Sequence, residues 1–333
     1  MKYRYILLFL VMCSFSKMRA QDPIFTQYFL IPESLNPGFS GFLETTYVGV
    51  IHRTQWPALD LRVDTEYGFV NTWLPTVHSG IGVSVLNHRE NGSGYSLSEV
   101  MANYAYRVQI SDNWYFRPAI EVGFGHKSFG FQNLLLQDQI NVFSGTINPN
   151  SIDTAILKEK VNYFDFTAGM VLQNDDGWIG LSLKHLNRPD ISFTQEGNVP
   201  LNMFLSLSAG YEFFIADYLN IRSFPYETKM MITSNYMQQG AYNRLDVGAS
   251  FLFEKIFLGA TAVTNPSKND ANIQLLNSIN VFTGLQLDSF RLGLSYDINT
   301  SQIGRTGGIY ELSLTYQFNM ESRCFGCPNY LVK

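Results

Sequence analysis

Residues 310–318 read Y-E-L-S-L-T-Y-Q-F, and this stretch near the end of the chain decides the fold. Its even-numbered positions, from Tyr310 to Phe318, are aromatic or aliphatic, and its odd-numbered positions, from Glu311 to Gln317, are polar. Successive side chains of a β-strand point to opposite faces, so the pattern predicts a strand with one apolar and one polar face. Helical periodicity is nearly absent, and the same alternation recurs in residues 100–110, 120–124, 164–172, 203–213, 245–253 and 292–298.

The length of these runs distinguishes a membrane barrel from a soluble sandwich. Strands of soluble proteins typically have about 5–6 residues, whereas strands that cross an outer membrane have about 10, apolar toward lipid and polar toward the lumen. The sequence fits the second pattern and predicts an all-β outer-membrane β-barrel of about 14 antiparallel strands. Candidate strands lie near residues 42–52, 60–71, 79–88, 95–110, 113–126, 161–173, 178–187, 203–215, 228–236, 243–254, 256–265, 278–287, 290–299 and 309–319.

Loop lengths alternate in phase with this strand count. Connections after even-numbered strands are tight, and those after odd-numbered strands are long. The tight ones lie at residues 111–112, 174–177, 255 and 288–289, and the long ones at 127–160, 186–202, 266–277 and 300–308. Outer-membrane barrels combine short periplasmic turns with longer outer loops, so the phase predicts that both termini are periplasmic. Two even-numbered connections, 72–79 and 216–227, are longer than this rule expects.

The first twenty residues predict an export signal. They contain no acidic residue, and an apolar run extends from Ile6 to Phe15. That run is too short to span a bilayer, which takes roughly 20 residues. A charged start, a short apolar core and a small final residue, here Ala20, are typical of a secretory signal peptide, which we place at residues 1–20. The basic residues are Lys2, Arg4, Lys17 and Arg19.

Composition and charge exclude several classes of function. The chain has 23 basic and 28 acidic residues and no basic run, so nucleic acid is not expected as a partner. None of the five histidines has metal-ligand spacing, and neither G-x-S-x-G nor H-E-x-x-H occurs. We therefore expect no metal, no cofactor and no enzyme. An outer-membrane enzyme with a Ser–His pair near one rim is the third alternative.

Ionisable residues occur on the polar faces of the candidate strands. Because an unpaired buried charge is costly, we expect them to pair across the barrel interior rather than to form a proton relay or an ion path. They are Glu99, Arg107, Arg117, Glu121, Asp165, Glu212, Asp246, Glu254, Asp297 and Glu311.

Two segments fall outside the strand pattern. Residues 21–41, QDPIFTQYFLIPESLNPGFSG, contain four aromatic residues, which favours a segment docked at the barrel mouth over a disordered leader. We therefore predict a plug or docking segment at 21–41, a barrel at 42–319 and a periplasmic tail at 320–333. Cys324 and Cys327 in this tail favour a local disulfide in an oxidising compartment. A thioredoxin-like redox pair and half of a zinc site are the alternatives.

Seven short motifs occur in order from one end of the mature chain to the other. They are Gln21-Asp22-Pro23, Phe25-Thr26-Gln27-Tyr28, Asn36-Pro37-Gly38-Phe39, His52-Arg53-Thr54-Gln55-Trp56, Gly293-Leu294-Ser295-Tyr296-Asp297, Tyr310-Glu311-Leu312-Ser313-Leu314 and Arg323-Cys324…Cys327-Pro328. In order and spacing they resemble the PorP/SprF family of the Bacteroidota type IX secretion system. Ile309-Tyr310 replaces the family's usual Ser-His, and Phe325-Gly326-Cys327 interrupts its terminal R-C-P, so the branch of the family stays open.

The resemblance implies a non-enzymatic outer-membrane component of type IX secretion and gliding, which helps to export or anchor a large cell-surface adhesin by protein binding. Its partners would be type IX secretion components, the adhesin or its C-terminal domain, and outer-membrane lipid. Pairing of a barrel edge strand with a β-rich cargo domain is one available mode. The residues that the resemblance marks for partner binding or plugging are Gln27, Tyr28, Asn36, Pro37, Gly38 and Trp56.

A FadL-type transporter of hydrophobic molecules is the main alternative. Such a protein also has fourteen strands and an N-terminal plug with an N-P motif. It needs an apolar pocket in the lumen and a lateral opening, whereas an anchoring protein can have a filled, closed barrel. The state of the lumen therefore discriminates between the two.

Overall fold

Fourteen antiparallel strands form one sheet that closes on itself. The computed structural model describes residues 22–131, 139–141, 146–148, 157–217, 228–266, 275–300 and 306–318. The strands are β1 (Tyr47–Gln55), β2 (Val63–Leu74), β3 (Ser79–Glu90), β4 (Ser96–Tyr106), β5 (Trp114–Ser128), β6 (Lys160–Gln173), β7 (Gly177–Lys184), β8 (Phe204–Phe214), β9 (Lys229–Gln239), β10 (Tyr242–Phe253), β11 (Ile256–Thr264), β12 (Leu276–Leu287), β13 (Phe290–Asn299) and β14 (Ile309–Gln317).

Shorter elements accompany the barrel strands. Val108–Ser111 extends β4 alongside β5, and a small hairpin of Ile140–Asn141 and Thr146–Ile147 lies between β5 and β6. Among the residues that the structure describes, no helix has the length and apolar composition needed to cross a membrane. The predicted signal peptide and the tail with Cys324 and Cys327 lie outside the described residues. Short 3-10 turns occupy Pro32–Ser34, Pro37–Phe39, Pro75–Val77 and Ile215–Asp217.

The pairing of β1 with β14 closes the barrel. It extends along all of β1, from Tyr47 opposite Gln317 to Gln55 opposite Ile309, and the other edge of β1 pairs with β2. Every other barrel strand is likewise bonded to the strands before and after it. The predicted barrel is therefore confirmed. Both edges of every strand from β1 to β14 are occupied, so the barrel wall itself offers no free edge strand for pairing with a cargo domain.

The apolar face of each strand points outward, and the polar face points into the lumen. On β14, Leu312 and Leu314 are 49% and 44% exposed, whereas Glu311 and Ser313 are 3% and 0% exposed. Large apolar side chains of soluble proteins are usually buried, so this arrangement is the one expected of a wall surrounded by lipid. The alternation predicted from the sequence is confirmed.

The two ends of the barrel differ in their connections. We call the end at which β1 begins and β14 ends the short-turn end, and the opposite end the long-loop end. The predicted phase of loop lengths holds with two exceptions: 215–228 at the short-turn end is long, and 240–241 at the long-loop end is tight. Gly240 makes this tight turn with a φ of +59°, which glycine adopts without strain. The remaining connections are 75–78, 112–113, 174–176, 254–255 and 288–289 at the short-turn end, where 112–113 follows the Val108–Ser111 extension of β4, and 56–62, 91–95, 129–159, 185–203, 265–275 and 300–308 at the long-loop end.

Aromatic side chains face outward around the short-turn end. Phe290 and Tyr316 on neighbouring strands have ring centroids 4.5 Å apart. Aromatic belts of this kind lie at the interface between membrane and water, so the short-turn end marks one boundary of the membrane. Members of the belt are Tyr106, Trp114, Tyr211, Phe290, Tyr316 and Phe318.

Strand β1 begins at Tyr47, later than the residue 42 expected from the sequence. Gly41 and Glu44 have φ values of +65° and +57°, which a β-strand does not use. Phe42 and Leu43 look like strand positions because they are apolar, but both are buried in the barrel interior. The residues just before β1 therefore belong to the N-terminal segment and not to the barrel wall.

Candidate functional site: the N-terminal segment in the lumen

The N-terminal segment, defined as residues 22–46, lies inside the barrel, and most of its apolar side chains are buried. Phe29 packs against Phe282 of β12, with ring centroids 4.6 Å apart. Phe39 packs against Trp178 of β7, with ring centroids 6.2 Å apart. Because β7 and β12 lie far apart around the barrel, the segment crosses the lumen rather than following one wall.

The described part of the segment starts among residues at the long-loop end. The Asp22 carboxylate lies 2.7 Å from Nε2 of His185, just after β7, and accepts a hydrogen bond of 3.2 Å from Gln239 at the end of β9. Nδ1 of His185 lies 2.9 Å from the carboxylate of Asp165 on β6. Both ring nitrogens face carboxylate oxygens, so both must carry protons to donate.

The charges of this cluster stabilise one another. Burial alone would lower the pKa of His185, but Asp22 and Asp165 outweigh burial and raise that pKa to about 10. Burial likewise opposes ionisation of Asp22, but His185 holds the pKa of Asp22 below its ordinary range. The start of the segment is therefore held by a histidinium ion between two carboxylates.

A carboxylate on the wall binds the backbone of the segment. Glu311 of β14 accepts hydrogen bonds from the N–H groups of Thr26 (2.8 Å) and Gln27 (3.0 Å). Arg53, directly opposite on β1, donates to the same carboxylate at 3.0 Å and also to the carbonyl oxygen of Ile24. Hydrogen bonds that involve a charged group are roughly twice as strong as neutral ones. The ion pair thus bonds the backbone at Ile24, Thr26 and Gln27 to the seam between β1 and β14.

The side chains of Gln27 and Tyr28 extend this attachment. Oε1 of Gln27 accepts from the Ser313 hydroxyl at 2.6 Å, and its Nε2 donates to the backbone carbonyl oxygen of Glu311 at 3.2 Å. The Tyr28 hydroxyl lies 3.2 Å from Oγ1 of Thr233 on β9. Both the oxygen and the nitrogen of the buried Gln27 side-chain amide therefore have hydrogen-bond partners on β14, whereas Tyr28 contacts β9.

Asn36, Pro37 and Gly38 form a tight turn against β6 and β7. Oδ1 of Asn36 accepts from the N–H of Gly38 at 2.8 Å and so caps the short turn that follows. Its Nδ2 donates to the carbonyl oxygens of Met170 (3.0 Å) and Leu181 (3.2 Å). These two carbonyls belong to neighbouring strands, so one amide group bridges β6 and β7.

Glycines in the wall leave room for the segment. A Cβ on Gly169 of β6 would lie 2.3 Å from Oδ1 of Asn36, and a Cβ on Gly293 of β13 would lie 2.2 Å from Oε1 of Gln27. Both distances are far shorter than van der Waals contact. Isolated glycines within strands commonly mark the close approach of another backbone, and these two receive the segment at its two main attachments.

The last part of the segment returns to β1 along β3, β4 and β5. Arg117 of β5 donates to the carbonyl oxygens of Gly38 (3.0 Å) and Ser40 (2.6 Å). The Ser40 hydroxyl donates to Asn103 of β4 at 2.6 Å, and a Cβ on Gly80 of β3 would lie 1.9 Å from the Ser40 carbonyl oxygen. The segment is therefore bound to walls all around the barrel, through backbone and side chains alike.

A comparison with protein families identifies the kind of protein that carries this arrangement. The model of a family described as type IX secretion system membrane protein PorP/SprF matches residues 17–316. The chain belongs to the PorP/SprF family. A search of curated proteins gave no match.

Porins are among the solved structures that resemble this PorP/SprF barrel. The KdgM porin is 10% identical, over 82% of this chain and 99% of that chain, with a TM-score of 0.36. The KdgM porin in complex with disordered oligogalacturonate gives a TM-score of 0.37 at the same identity and coverage. A mutant of the Rh. blastica porin is 8% identical over the same shares of the two chains, with a TM-score of 0.35.

The structure brings together most of the residues that the PorP/SprF resemblance marks. Those that are buried in the lumen as part of the N-terminal segment are Gln27, Tyr28, Asn36, Pro37 and Gly38. Trp56 lies apart from them, after β1 at the long-loop end. Its backbone N–H donates to the carbonyl oxygen of Gly308 at 3.0 Å. Among the described residues, no hydrogen bond or ring contact joins the Trp56 side chain to the segment.

Some of the ionisable residues predicted to pair across the barrel interior do form buried ion pairs, but their partners lie on the same strand or on an adjacent one. Among the described residues, Glu99, Glu121 and Asp297 form no ion pair; Glu99 accepts from Tyr163 and Glu121 from Asn103. Glu254 is an exception, because it is exposed in the turn between β10 and β11 with a φ of +49° and does not face the lumen. Arg117 pairs with carbonyl oxygens of the segment rather than with a carboxylate. Within the described ranges, no group of three or more His, Cys, Asp or Glu residues is placed to hold a metal ion. The buried pairs are Arg53–Glu311 (3.0 Å), Lys229–Glu212 (2.6 Å) and Arg244–Asp246 (2.7 Å).

Sequence reasoning missed the wall residues that receive the segment. Gly169 and Gly293 lie on the polar faces of strands, where an isolated glycine signals close approach, so a usable signal was present for both. His185 follows a strand and has no sequence feature that predicts two carboxylate partners. Arg53 lies within a family motif, but the motif alone does not name Glu311 as its partner.

Proposed function

We propose that this PorP/SprF protein helps to export or anchor a large cell-surface adhesin by binding proteins, without catalysing a reaction. The observation that carries the proposal is the occupied lumen. The segment is bonded to the seam through Glu311 and Arg53 and to the far wall through Asn36. A barrel filled in this way offers its two ends, rather than a channel, to other molecules.

The long-loop end is the surface that we assign to the adhesin or its C-terminal domain. Outer-membrane barrels carry their longer loops on the cell surface, so we orient this end outward and the short-turn end toward the periplasm and its secretion components. Binding residues are found disproportionately on loops. Apolar side chains exposed in four different loops of this end are Leu61 (55%), Ile147 (61%), Val199 (50%) and Leu275 (60%).

The transporter alternative finds less support. Lateral passage needs a gap between strands, but the seam between β1 and β14 is paired from end to end. A groove of about 460 Å³ is present, but most of the side chains that line it face outward, among them Leu294, Tyr296 and Leu312. In the lumen, the space that an apolar substrate needs is occupied by the N-terminal segment.

Charge substitutions in the loops test the proposal. Val199→Asp combined with Leu275→Asp should reduce the surface amount of at least one type IX cargo in the native cell, because both side chains lose their apolar contact surface. Val77→Asp is the matched control, since Val77 is an equally exposed apolar residue (54%) in a turn of the short-turn end. Surface proteomics measures the cargo, and heat-modifiable migration shows that each barrel is folded in the outer membrane.

The outcomes separate the parts of the proposal. Normal display of every type IX cargo in a strain that lacks this protein altogether would refute the secretion role, and uptake of hydrophobic solutes would then test the transporter alternative. Loss of display with Val77→Asp alone would place the partner at the short-turn end and refute the assignment of the long loops.

A further inference from the structure

Strands β3 to β6 carry rows of outward-facing residues that lie in register across the sheet. The row nearest the middle of the wall is apolar, and its members are between 44% and 67% exposed. The rings of Phe124 and Phe164 in this row have centroids 5.4 Å apart. The apolar row consists of Val85, Val100, Phe124 and Phe164.

The next two rows toward the long-loop end are polar. Hydrogen bonds join neighbours within them: Ser98 to Asn87 (3.2 Å), His126 to Asn162 (2.6 Å) and Ser96 to Ser128 (2.7 Å). The outer wall thus changes from apolar to polar within one step along four adjacent strands. The middle row is Asn87, Ser98, His126 and Asn162, and the outermost row is Arg89, Ser96, Ser128 and Lys160.

This change lies where the wall leaves the hydrocarbon layer. Outward residues of β5 are apolar from Trp114, in the aromatic belt of the short-turn end, to Phe124. About ten residues at roughly 3.3 Å each, tilted by about 40°, span roughly 25 Å, which is the height of the apolar band of an outer-membrane barrel. His126, the next outward residue, therefore lies at the level of the lipid headgroups.

The outermost row presents two cations that are not paired with the protein. Arg89 and Lys160 are exposed, and within the described part of the chain neither side chain forms a hydrogen bond or an ion pair. Outward-facing acidic residues on the adjacent strand β2 are already engaged. Asp64 pairs with Arg62 at 2.9 Å, and Glu66 accepts from Asn87 at 2.8 Å. The positive charges of Arg89 and Lys160 are therefore available to molecules that surround the barrel.

We propose that this surface binds a phosphorylated glycolipid of the outer leaflet. Its acyl chains lie along the apolar row, its sugars meet the hydroxyl and amide groups, and its phosphates meet Arg89 and Lys160. Guanidinium and ammonium groups are the side chains that proteins use for phosphate. The proposal rests on the orientation proposed above, with the long-loop end at the cell surface, and is independent of the secretion role.

Native mass spectrometry of the detergent-solubilised barrel with purified lipid A tests this site. Arg89→Gln combined with Lys160→Gln should weaken lipid A binding by about 25-fold, because each basic residue near an anionic lipid contributes about fivefold. Lys255→Gln removes an exposed cation at the short-turn end and should leave the affinity unchanged. Lipid A without phosphates should bind the wild type and the double variant equally weakly, and heat-modifiable migration shows that each variant is folded.

Three results would overturn the proposal. The first is an unchanged affinity of the double variant for lipid A, and the second is an equal loss with Lys255→Gln. The third is tighter binding of phosphatidylglycerol than of lipid A at the same residues, which would identify a phospholipid as the ligand. That third result would also refute the proposed orientation, while the secretion role would stand or fall on the display experiment alone.

Discussion

The N-terminal segment is attached to the barrel at two places that work by different chemistry. At the first, the wall supplies the ion pair Arg53–Glu311, which binds the backbone at Gln27. At the second, the segment supplies the neutral side chain of Asn36, and the wall supplies carbonyl oxygens and the space left by Gly169. We call these the charged attachment and the neutral attachment.

The difference predicts how each attachment responds to change. Removing one partner of a buried ion pair leaves the other charge uncompensated, which is strongly destabilising. The neutral attachment contains no charge to lose, but an added methyl group in its close-packed contact forces atoms apart. Both attachments contain landmarks of the PorP/SprF family, so a test of one is a natural control for the other.

Glu311→Ala is expected to have the largest effect, a loss of about 3–5 kcal/mol in the free energy of unfolding. Arg53, which is 7% exposed, would lose its carboxylate, and the N–H groups of Thr26 and Gln27 would lose their acceptor. Urea unfolding of the barrel in lipid vesicles measures this free energy.

A second substitution shows whether charge is the cause. Arg53→Met in the Glu311→Ala background should restore part of the lost free energy, because the buried charge is then removed with its partner. A double variant no more stable than Glu311→Ala would mean that the backbone hydrogen bonds, rather than the ion pair, hold the charged attachment.

Gly169→Ala tests the neutral attachment and should cost about 1–3 kcal/mol. The new Cβ would lie 2.3 Å from Oδ1 of Asn36 and 3.0 Å from Cδ of Pro37, which the turn cannot easily move. Gly68→Ala is the matched control on the outward face of β2, where the nearest atom to a Cβ is 3.6 Å away. The same urea experiment should find this control nearly neutral.

Gly293→Ala refines the comparison between the attachments. Its Cβ would lie 2.2 Å from Oε1 of Gln27, 2.5 Å from Oγ of Ser313 and 2.8 Å from Cδ1 of Leu30. All three atoms are ends of side chains, which move more easily than the Asn36–Pro37 turn, so the effect should fall between those of Gly169→Ala and Gly68→Ala. If alanine were equally harmful at Gly68 and Gly169, the loss would reflect glycine in strands generally and not the fit of the segment.

The sequence determines the barrel far better than it determines the contents of the barrel. Alternation such as that of residues 310–318 is a local property, so the number and faces of the strands follow from it. Asn36 contacts carbonyl groups of Met170 and Leu181 that are 134 and 145 positions away, and no local pattern carries that information. The family motif includes Asn36 but does not identify its partners. The sequence pattern wrongly assigns Phe42 and Leu43 to a strand because apolar residues are also buried in the lumen.

The pH dependence of His185 tests a second charged contact, at the start of the segment. Its raised pKa of about 10 means that its stabilising contribution is complete below the ordinary value of about 6.5 and is lost as the pH rises through about 10. Asp22, whose pKa is lowered, loses its contribution only as the pH falls below the ordinary carboxylate range. Carbon-13 NMR of labelled histidine should therefore show His185 as imidazolium at pH 8. Asp22→Asn should lower its titration midpoint, and a neutral His185 at pH 8 would contradict the paired geometry.

Glu33 should show the smallest effect, and it separates the two kinds of contact most directly. This buried residue of the segment has a single side-chain hydrogen bond to the wall among the described residues: Oε1 accepts from Asn71 of β2 at 2.5 Å, and Oε2 has no partner. Burial with so few partners raises the pKa of the Glu33 carboxyl group to about 8, so the group is mostly protonated at neutral pH. Glu33→Gln therefore exchanges one neutral group for another at neutral pH and keeps the oxygen that Asn71 binds. It should change the free energy of unfolding by less than about 1 kcal/mol, or raise it.

Glu311→Gln is the matched control, because it makes the same chemical change at a carboxylate that is fully used. There the loss of charge weakens the bond to Arg53 and places an amide N–H₂ group against donors, so the variant should lose about 1.5–3 kcal/mol. The two variants differ from the wild type by the same atoms, and only the surroundings of the carboxylate differ between them. A loss at Glu33 as large as the loss at Glu311 would mean that negative charge is needed along the whole segment, and the distinction between a charged and a neutral attachment would fail.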